Sequence, residues 1–72
     1  MTLQQIRYVA EIARHGTISK AAQELYITQP HLSSVLKELE NELGAILFDR
    51  MNKSVKLTSA GNVFLPYAQK II

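Results

Sequence analysis

Residues 16–44, GTISKAAQELYITQPHLSSVLKELENELG, contain two helix patterns separated by a short interruption. Ser19 can cap a short helix through Leu25, in which two alanines favour helix formation and allow another helix to approach closely. Thr28 offers a second cap, and Pro30 falls in the first turn of the next helix, where its missing N–H costs no hydrogen bond. This stretch therefore predicts a short helix, a tight turn and a longer helix.

The longer helix, predicted over residues 28–43, has one apolar stripe and a polar face opposite to it. Its apolar side chains recur at amphipathic spacing, and they are Leu32, Val35, Leu36, Leu39 and Leu43. The opposite face carries small, polar or cationic side chains, namely Pro30, Ser34, Lys37 and Asn41, with Ser33 beside them. In helix-turn-helix proteins the N-terminal end of the second helix contacts the major groove of DNA through such a face.

The offsets within the stretch also fit a helix-turn-helix. Ala22 is the small residue that allows the two helices to cross closely. The apolar positions that hold the crossing angle are Ala21, Leu25, Ile27, Leu32 and Val35. One position departs from the pattern, because Tyr26 stands in the turn where glycine is common, and a left-handed backbone costs tyrosine more than glycine.

The flanking sequence predicts a further helix and a hairpin. Thr2 and Gln5 form a capping-box pattern at the start of a helix over residues 3–15. After the long helix the apolar period changes, and residues 46–48 and 55–57 read as two short strands around a polar turn. Because an isolated hairpin is only marginally stable, we expect this one to pack against the helices.

A final helix is predicted to begin after Thr58 and to run to the end of the chain. Its apolar residues spread over too much of the helix circumference for one core, and Pro66 should bend it or remove a hydrogen bond. Ile72 ends the chain without a C-cap signal, so we expect this helix to continue and to pack on something else. The sequence thus divides into residues 1–58 and 59–72.

Composition limits the possible functions. The 72 residues allow one small domain, and the absence of cysteine together with only two histidines argues against a disulfide framework and a structural metal site. No apolar run is long enough to cross a membrane and no signal pattern opens the chain, so we expect a cytoplasmic protein. We predict neither an enzyme nor a cofactor, because no group of nucleophile, base and orienting residue and no glycine-rich phosphate loop is present. The net charge of +2 says little about partners.

Taken together, the motifs resemble the N-terminal DNA-binding domain of LysR-type transcriptional regulators over essentially the whole chain. The stretches that carry the resemblance are LQQIRYV (3–9), GTISKAAQEL (16–25), TQPHLSSVLKELENEL (28–43), GAILFDR (44–50) and VKLTSAG (55–61). The resemblance implies a mainly α-helical winged helix-turn-helix with a three-helix core, a two-stranded wing and a C-terminal linker helix. It also implies a homodimer formed through the linker helices, and a small-molecule effector bound by a C-terminal domain that lies outside this chain.

The resemblance assigns roles to individual residues. Those expected where the recognition helix meets the major groove are Thr28, Gln29, Pro30, Ser33 and Ser34. Arg50 and Lys53 fall in the wing, at residues 47–57, where basic side chains meet phosphate or the minor groove. Thr58 falls at the start of the linker helix, where a backbone contact to phosphate is expected.

Other candidates come from the residues themselves. Lys37 is a candidate phosphate contact on the polar helix face, and Leu65 and Ile72 are candidate dimer contacts.

Ser34 stands where many family members carry a longer, often basic residue, so we expect weaker direct base readout there. His31 replaces a usual small residue and is expected on the surface or against the first helix.

Two alternatives remain open at this point. Arg50 could pair with an acid and brace the wing instead of contacting DNA. The whole chain could also be a protein-interaction or dimerisation module without nucleic-acid binding, which the apolar final helix and the modest charge would suit. The polar, small-residue start of the recognition helix argues against that second alternative, because an interface core is expected to carry aromatic anchors there.

Overall fold

The computed structural model describes residues 1–50 and 54–71, so the predictions for Lys53 and Ile72 lie outside the described residues. The helices in these ranges are α1 (Leu3–His15), α2 (Ile18–Leu25), α3 (Gln29–Leu43) and α4 (Ser59–Ile71), and the strands are β1 (Phe48–Asp49) and β2 (Lys56–Leu57). The strands pair antiparallel, with Phe48 opposite Leu57. The predicted mainly α-helical architecture with a two-stranded wing is confirmed. Within the described ranges, no helix is long and apolar enough to cross a bilayer.

Side-chain caps define where the helices begin. The predicted capping box of α1 is present, since the Thr2 hydroxyl accepts the N–H of Gln5 at 3.1 Å and the Gln5 side chain accepts the N–H of Thr2 at 2.8 Å. The prediction of Ser19 as the cap of α2 is wrong, because Thr17 accepts the N–H of Lys20 and the helix begins two residues earlier than expected. The earlier start places the apolar side chain of residue 18 in the core, whereas Ser19 lies exposed in the first turn.

The turn between α2 and α3 forms without a glycine. Tyr26 adopts the left-handed conformation, with φ 60° and ψ 39°, and the residue is 95% exposed. Its N–H donates to the end of α2, and the N–H of Ile27 donates to the Ala22 carbonyl at 3.0 Å. Ile27 and Leu25, on either side of the tyrosine, pack against the core, so the burial of its neighbours holds the strained residue in place.

The core lies between α1, α2 and α3. Its most deeply buried large side chains are Val9, Ile12, Leu32, Leu36, Leu39 and Leu47. Ala21 and Ala22 are also buried, which allows α2 to lie close against its neighbours. The predicted stripe of α3 is thus confirmed except at Leu43, which is partly exposed in the last turn of the helix.

Helix α4 approaches the rest of the domain at Gly61. A Cβ atom placed on Gly61 would lie 2.1 Å from the carbonyl oxygen of Leu47. The N–H of Thr58 donates to that same oxygen at 3.0 Å. The start of α4 is therefore held directly against the segment that precedes the wing.

Candidate nucleic-acid interface

The N-terminal half of α3 presents a polar surface to solvent. Gln29, Pro30, Ser34 and Lys37 are exposed, and Ser33 is half-buried. This orientation follows from the burial of Leu32, Leu36 and Leu39 on the other side of the helix, as the helical period requires. The hydroxyl of Thr28 caps the helix by accepting the N–H of His31 at 3.2 Å. His31 itself is exposed.

An open groove of about 650 Å³ separates this surface from the wing and the start of α4. The residues of α3 that line it include Pro30, Ser33, Ser34 and Lys37. Arg50 and Thr58 line the groove from the side of the wing and α4. Six of the sequence-predicted DNA contacts therefore lie around one concave surface.

A second groove, of about 560 Å³, brings in residues that the sequence reasoning missed. Gln29, Ser33 and Arg50 line this groove together with three further polar residues, which are Thr17, Ser19 and Ser54. Arg50 and Ser33 belong to both grooves, so the two grooves adjoin each other at these residues. The cap pattern at the start of α2 was visible in the sequence, but its position beside α3 depends on the crossing of the two helices.

Arg50 is exposed and forms no salt bridge with any residue in the described part of the chain. Lys37 is likewise exposed and forms no salt bridge with any of the described residues. The described ranges therefore contain no ion pair that supports the alternative in which Arg50 pairs with an acid and braces the wing. Both cationic groups are exposed and lack an ion pair among the described residues.

The polar groups of Thr58 are all engaged within the protein. Its N–H donates to Leu47, its hydroxyl donates to the Ile46 carbonyl and accepts the N–H of Gly61, and its carbonyl accepts the N–H of Asn62. Thr58 thus caps α4 as predicted and ties it to the preceding segment. The N–H of Ser59 is the first of α4, and the first N–H groups of a helix lack partners within the helix.

Glu40 is among the residues that line the first groove, and it is buried, with 7% exposure. One of its carboxylate oxygens accepts the N–H of Leu47 at 2.7 Å and that of Phe48 at 3.4 Å. Glu38, two residues earlier on α3, is exposed. Glu40 is therefore a structural residue, and the sequence reasoning did not connect it with the wing.

The apolar side chains of α4 point in two directions. Leu65 is half-buried and lies beside α1, where Ala10 and Ala13 line the same shallow pocket. The exposed apolar side chains are instead Val63, Tyr67 and Ile71, which are 66%, 64% and 56% exposed. Their i, i+4, i+8 spacing forms one stripe along the helix. Leu65 therefore lies away from the stripe that is open to a partner.

The whole arrangement matches known proteins. The model of the family described as bacterial regulatory helix-turn-helix protein, lysR family, matches residues 3–62. A probable RuBisCO transcriptional regulator of Cyanidioschyzon merolae is 48% identical over 71 residues, which cover 99% of this chain and 23% of that protein. The chain spans about a quarter of the length of the curated relatives it matches.

Solved structures agree with the family match. The crystal structure of a CbnR_DBD–DNA complex superposes with a TM-score of 0.94 at 34% identity, covering 99% of this chain and 82% of the other. That of a BenM_DBD/catB site 1 DNA complex has a TM-score of 0.94 at 39% identity, covering 99% and 79%. The sequence and the fold of the present chain together show that it belongs to the lysR family of bacterial regulatory helix-turn-helix proteins.

Proposed function

We propose that this chain is the DNA-binding domain of a LysR-type transcription regulator and binds double-stranded DNA in a sequence-specific manner, with α3 in the major groove. One observation carries the proposal: the exposed, small and polar N-terminal half of α3 shares a concave surface with Arg50, which has no ion pair among the described residues. A major groove about 12 Å wide accepts a helix whose exposed side chains are short. The DNA present in the two solved neighbours further supports the proposal.

Within this complex the side chains of α3 take different roles. Gln29 is the best candidate for reading a base, because its amide can pair with both hydrogen-bonding positions of adenine. Ser33 and Ser34 contact base edges or phosphate, and Pro30 contacts sugar or a thymine methyl. Thr28, whose hydroxyl oxygen already accepts a hydrogen bond in the cap, can still donate its hydroxyl hydrogen to a phosphate.

Cationic and backbone groups around the groove bind the phosphates. Lys37 and Arg50 contact the DNA backbone from the two walls of the groove, and Arg50 and Lys53 can also reach the minor groove from the wing. The start of α4, at Thr58 and Ser59, offers its helix N-terminus to a phosphate. These contacts supply affinity that depends on salt, whereas Gln29 supplies sequence preference.

Two matched pairs of variants test the proposal on a duplex selected by the chain from a random library and on a random duplex. Gln29→Ala should weaken binding to the selected duplex by roughly 5- to 150-fold and leave the random duplex nearly unchanged, since a bidentate base contact discriminates by about 1–3 kcal/mol. Lys37→Ala should weaken both duplexes and reduce the salt dependence. The controls are Gln69→Ala and Lys70→Ala, exposed positions on α4 outside both grooves. Equal loss on both duplexes for Gln29→Ala would remove the base-reading role.

We also propose that two copies associate through α4, with residues 1–58 forming the DNA-binding part and residues 59–72 the start of the linker helix. The exposed stripe of Val63, Tyr67 and Ile71 supports this proposal, and Leu65 and Ile72 remain predicted contacts. Tyr67→Ser should shift the chain toward monomer in sedimentation velocity, whereas Gln69→Ser should not. A chain that stays monomeric at high micromolar concentration without any substitution would count against dimerisation by this segment alone.

The whole protein, by the same proposal, acts in the cytoplasm as a regulator and has no enzymatic role. Its small-molecule effector binds to a C-terminal domain outside this chain. The curated relatives, which are transcriptional regulators about four times as long, support this view. The relatives give no support to a role as a protein-interaction module without DNA binding.

A further inference from the structure

The segment between α3 and the wing, residues 44–48, is held from both sides. From α3, the carboxylate of Glu40 accepts the N–H groups of Leu47 and Phe48. From α4, Thr58 donates its hydroxyl to the Ile46 carbonyl and its N–H to the Leu47 carbonyl. The backbone carbonyl of Glu40 also accepts the N–H groups of residues 44 and 45, at 2.9 and 3.2 Å.

Glu40 differs from the other acidic residues of α3 in its burial. It is 7% exposed, it has no basic partner among the described residues, and its hydrogen bonds to the segment are to backbone N–H groups. Moving a carboxylate out of water is unfavourable unless hydrogen bonds compensate, and a charged acceptor holds an N–H more tightly than a neutral one. The side chain therefore fixes the position of the Leu47 and Phe48 backbone with respect to α3.

The consequence concerns Arg50. Strand β1 begins at Phe48, and the N–H of this residue donates to the Glu40 carboxylate. Arg50 follows two residues later and lines both grooves. Lys37 lies one helical turn before Glu40 and lines the opposite wall of the first groove. The Glu40 carboxylate thus joins α3 to the segment that leads to Arg50, alongside the hydrogen bonds from Thr58.

We propose that Glu40 is a positioning residue for DNA binding: it holds the start of the wing at the distance from α3 at which Arg50 and the α3 surface engage one duplex together. The inference rests on the proposed function. Glu40 itself does not contact DNA and, being negative, would repel it. We therefore expect its effect on binding to pass through Arg50, the cationic residue of the wing that lines both grooves.

The experiment compares Glu40→Ala with Glu38→Ala, which removes the same charge from an exposed position of the same helix. Binding to the selected duplex is measured between about 50 and 200 mM KCl, in the presence and absence of Arg50→Ala. Loss of one phosphate contact lowers the salt slope by about 0.9, so the ratio of wild-type to Glu40→Ala affinity should fall about threefold over this range. Glu38→Ala should keep the wild-type slope and bind slightly more tightly, because it removes one repulsive charge.

Two further results separate positioning from a general loss of stability. If Glu40 acts through Arg50, the double variant with Arg50→Ala should lose no more slope than Arg50→Ala alone. Glu40→Gln keeps an acceptor oxygen at the same length and should restore the wild-type slope. Circular dichroism confirms that each variant is folded at the assay temperature, and Glu40→Met, which keeps the volume without the oxygen, replaces Glu40→Ala where that variant does not fold.

The outcomes distinguish the two proposals. A wild-type chain that fails to bind duplex DNA with a salt dependence refutes the proposed function. A wild-type chain that binds, with Glu40→Ala matching Glu38→Ala or adding its loss to that of Arg50→Ala, refutes the positioning role alone.

Discussion

The close approach of α4 to the segment before the wing predicts that Gly61→Ala destabilises the domain. Gly61 lies inside a helix, where alanine is ordinarily preferred by about 1 kcal/mol. Helix propensity alone thus predicts a more stable variant. The tertiary structure predicts the opposite sign, because the added Cβ would lie 2.1 Å from the Leu47 carbonyl oxygen and 2.8 Å from a methyl carbon of Leu57.

The magnitude follows from the required movement. Ordinary contact begins near 3.4 Å, so α4 must withdraw by about 1.3 Å from an oxygen that would lie 2.1 Å from the added methyl carbon. That movement strains or breaks the two hydrogen bonds from Thr58 to residues 46 and 47, each contributing about 1 kcal/mol. Adding about 2 kcal/mol for overpacking and subtracting about 1 kcal/mol for propensity leaves a net loss of about 3 kcal/mol.

Thermal and urea unfolding of the chain measure this loss. A net loss of about 3 kcal/mol should lower Tm by roughly 12–24 °C for a domain of this size. Gly44→Ala is the matched control, because it has no neighbour within 4 Å and is destabilised only through its left-handed backbone, at φ 71°, by about 1 kcal/mol. A Gly61→Ala variant as stable as the wild type, or more stable, would refute the close-packing argument.

Four further substitutions test the local structure. Tyr26→Gly should raise the free energy of unfolding by about 1 kcal/mol in urea titration, because the exposed ring contributes little packing and glycine accepts the left-handed turn; an unchanged midpoint would contradict this. Thr17→Ala should cost about 1 kcal/mol and Ser19→Ala less than about 0.5 kcal/mol, and the reverse order would restore Ser19 as the cap. Pro66→Ala should increase stability by about 1–3 kcal/mol in thermal unfolding, because it supplies the N–H that the Asn62 carbonyl lacks; a lower Tm would mean that the proline packs usefully.

Much of the fold could be predicted because its signals are local. The capping box of Thr2, the cap at Thr28 and the apolar stripe of α3 each depend on residues within a few positions of one another. The candidate site benefited from the same locality, since the polar face of α3 follows from the buried stripe by helical geometry. The prediction of Ser19 as the cap of α2 is wrong, because the start at Thr17 depends on burying the side chain of Ile18, which is a tertiary contact.

By itself, the sequence determined the order of the elements, the family and the face of α3 that is exposed, since periodicity, caps and motif spacing are encoded within each segment. Only the tertiary structure decided that Glu40 binds the start of the wing, that Arg50 and Ser33 share both grooves, and that Val63 rather than Leu65 belongs to the exposed stripe of α4. Those contacts join segments that are distant in the sequence and meet only when the helices pack. The packing of whole helices therefore decides which neighbour each side chain contacts. A sequence pattern records which side of a helix is apolar, but not which neighbour that side meets.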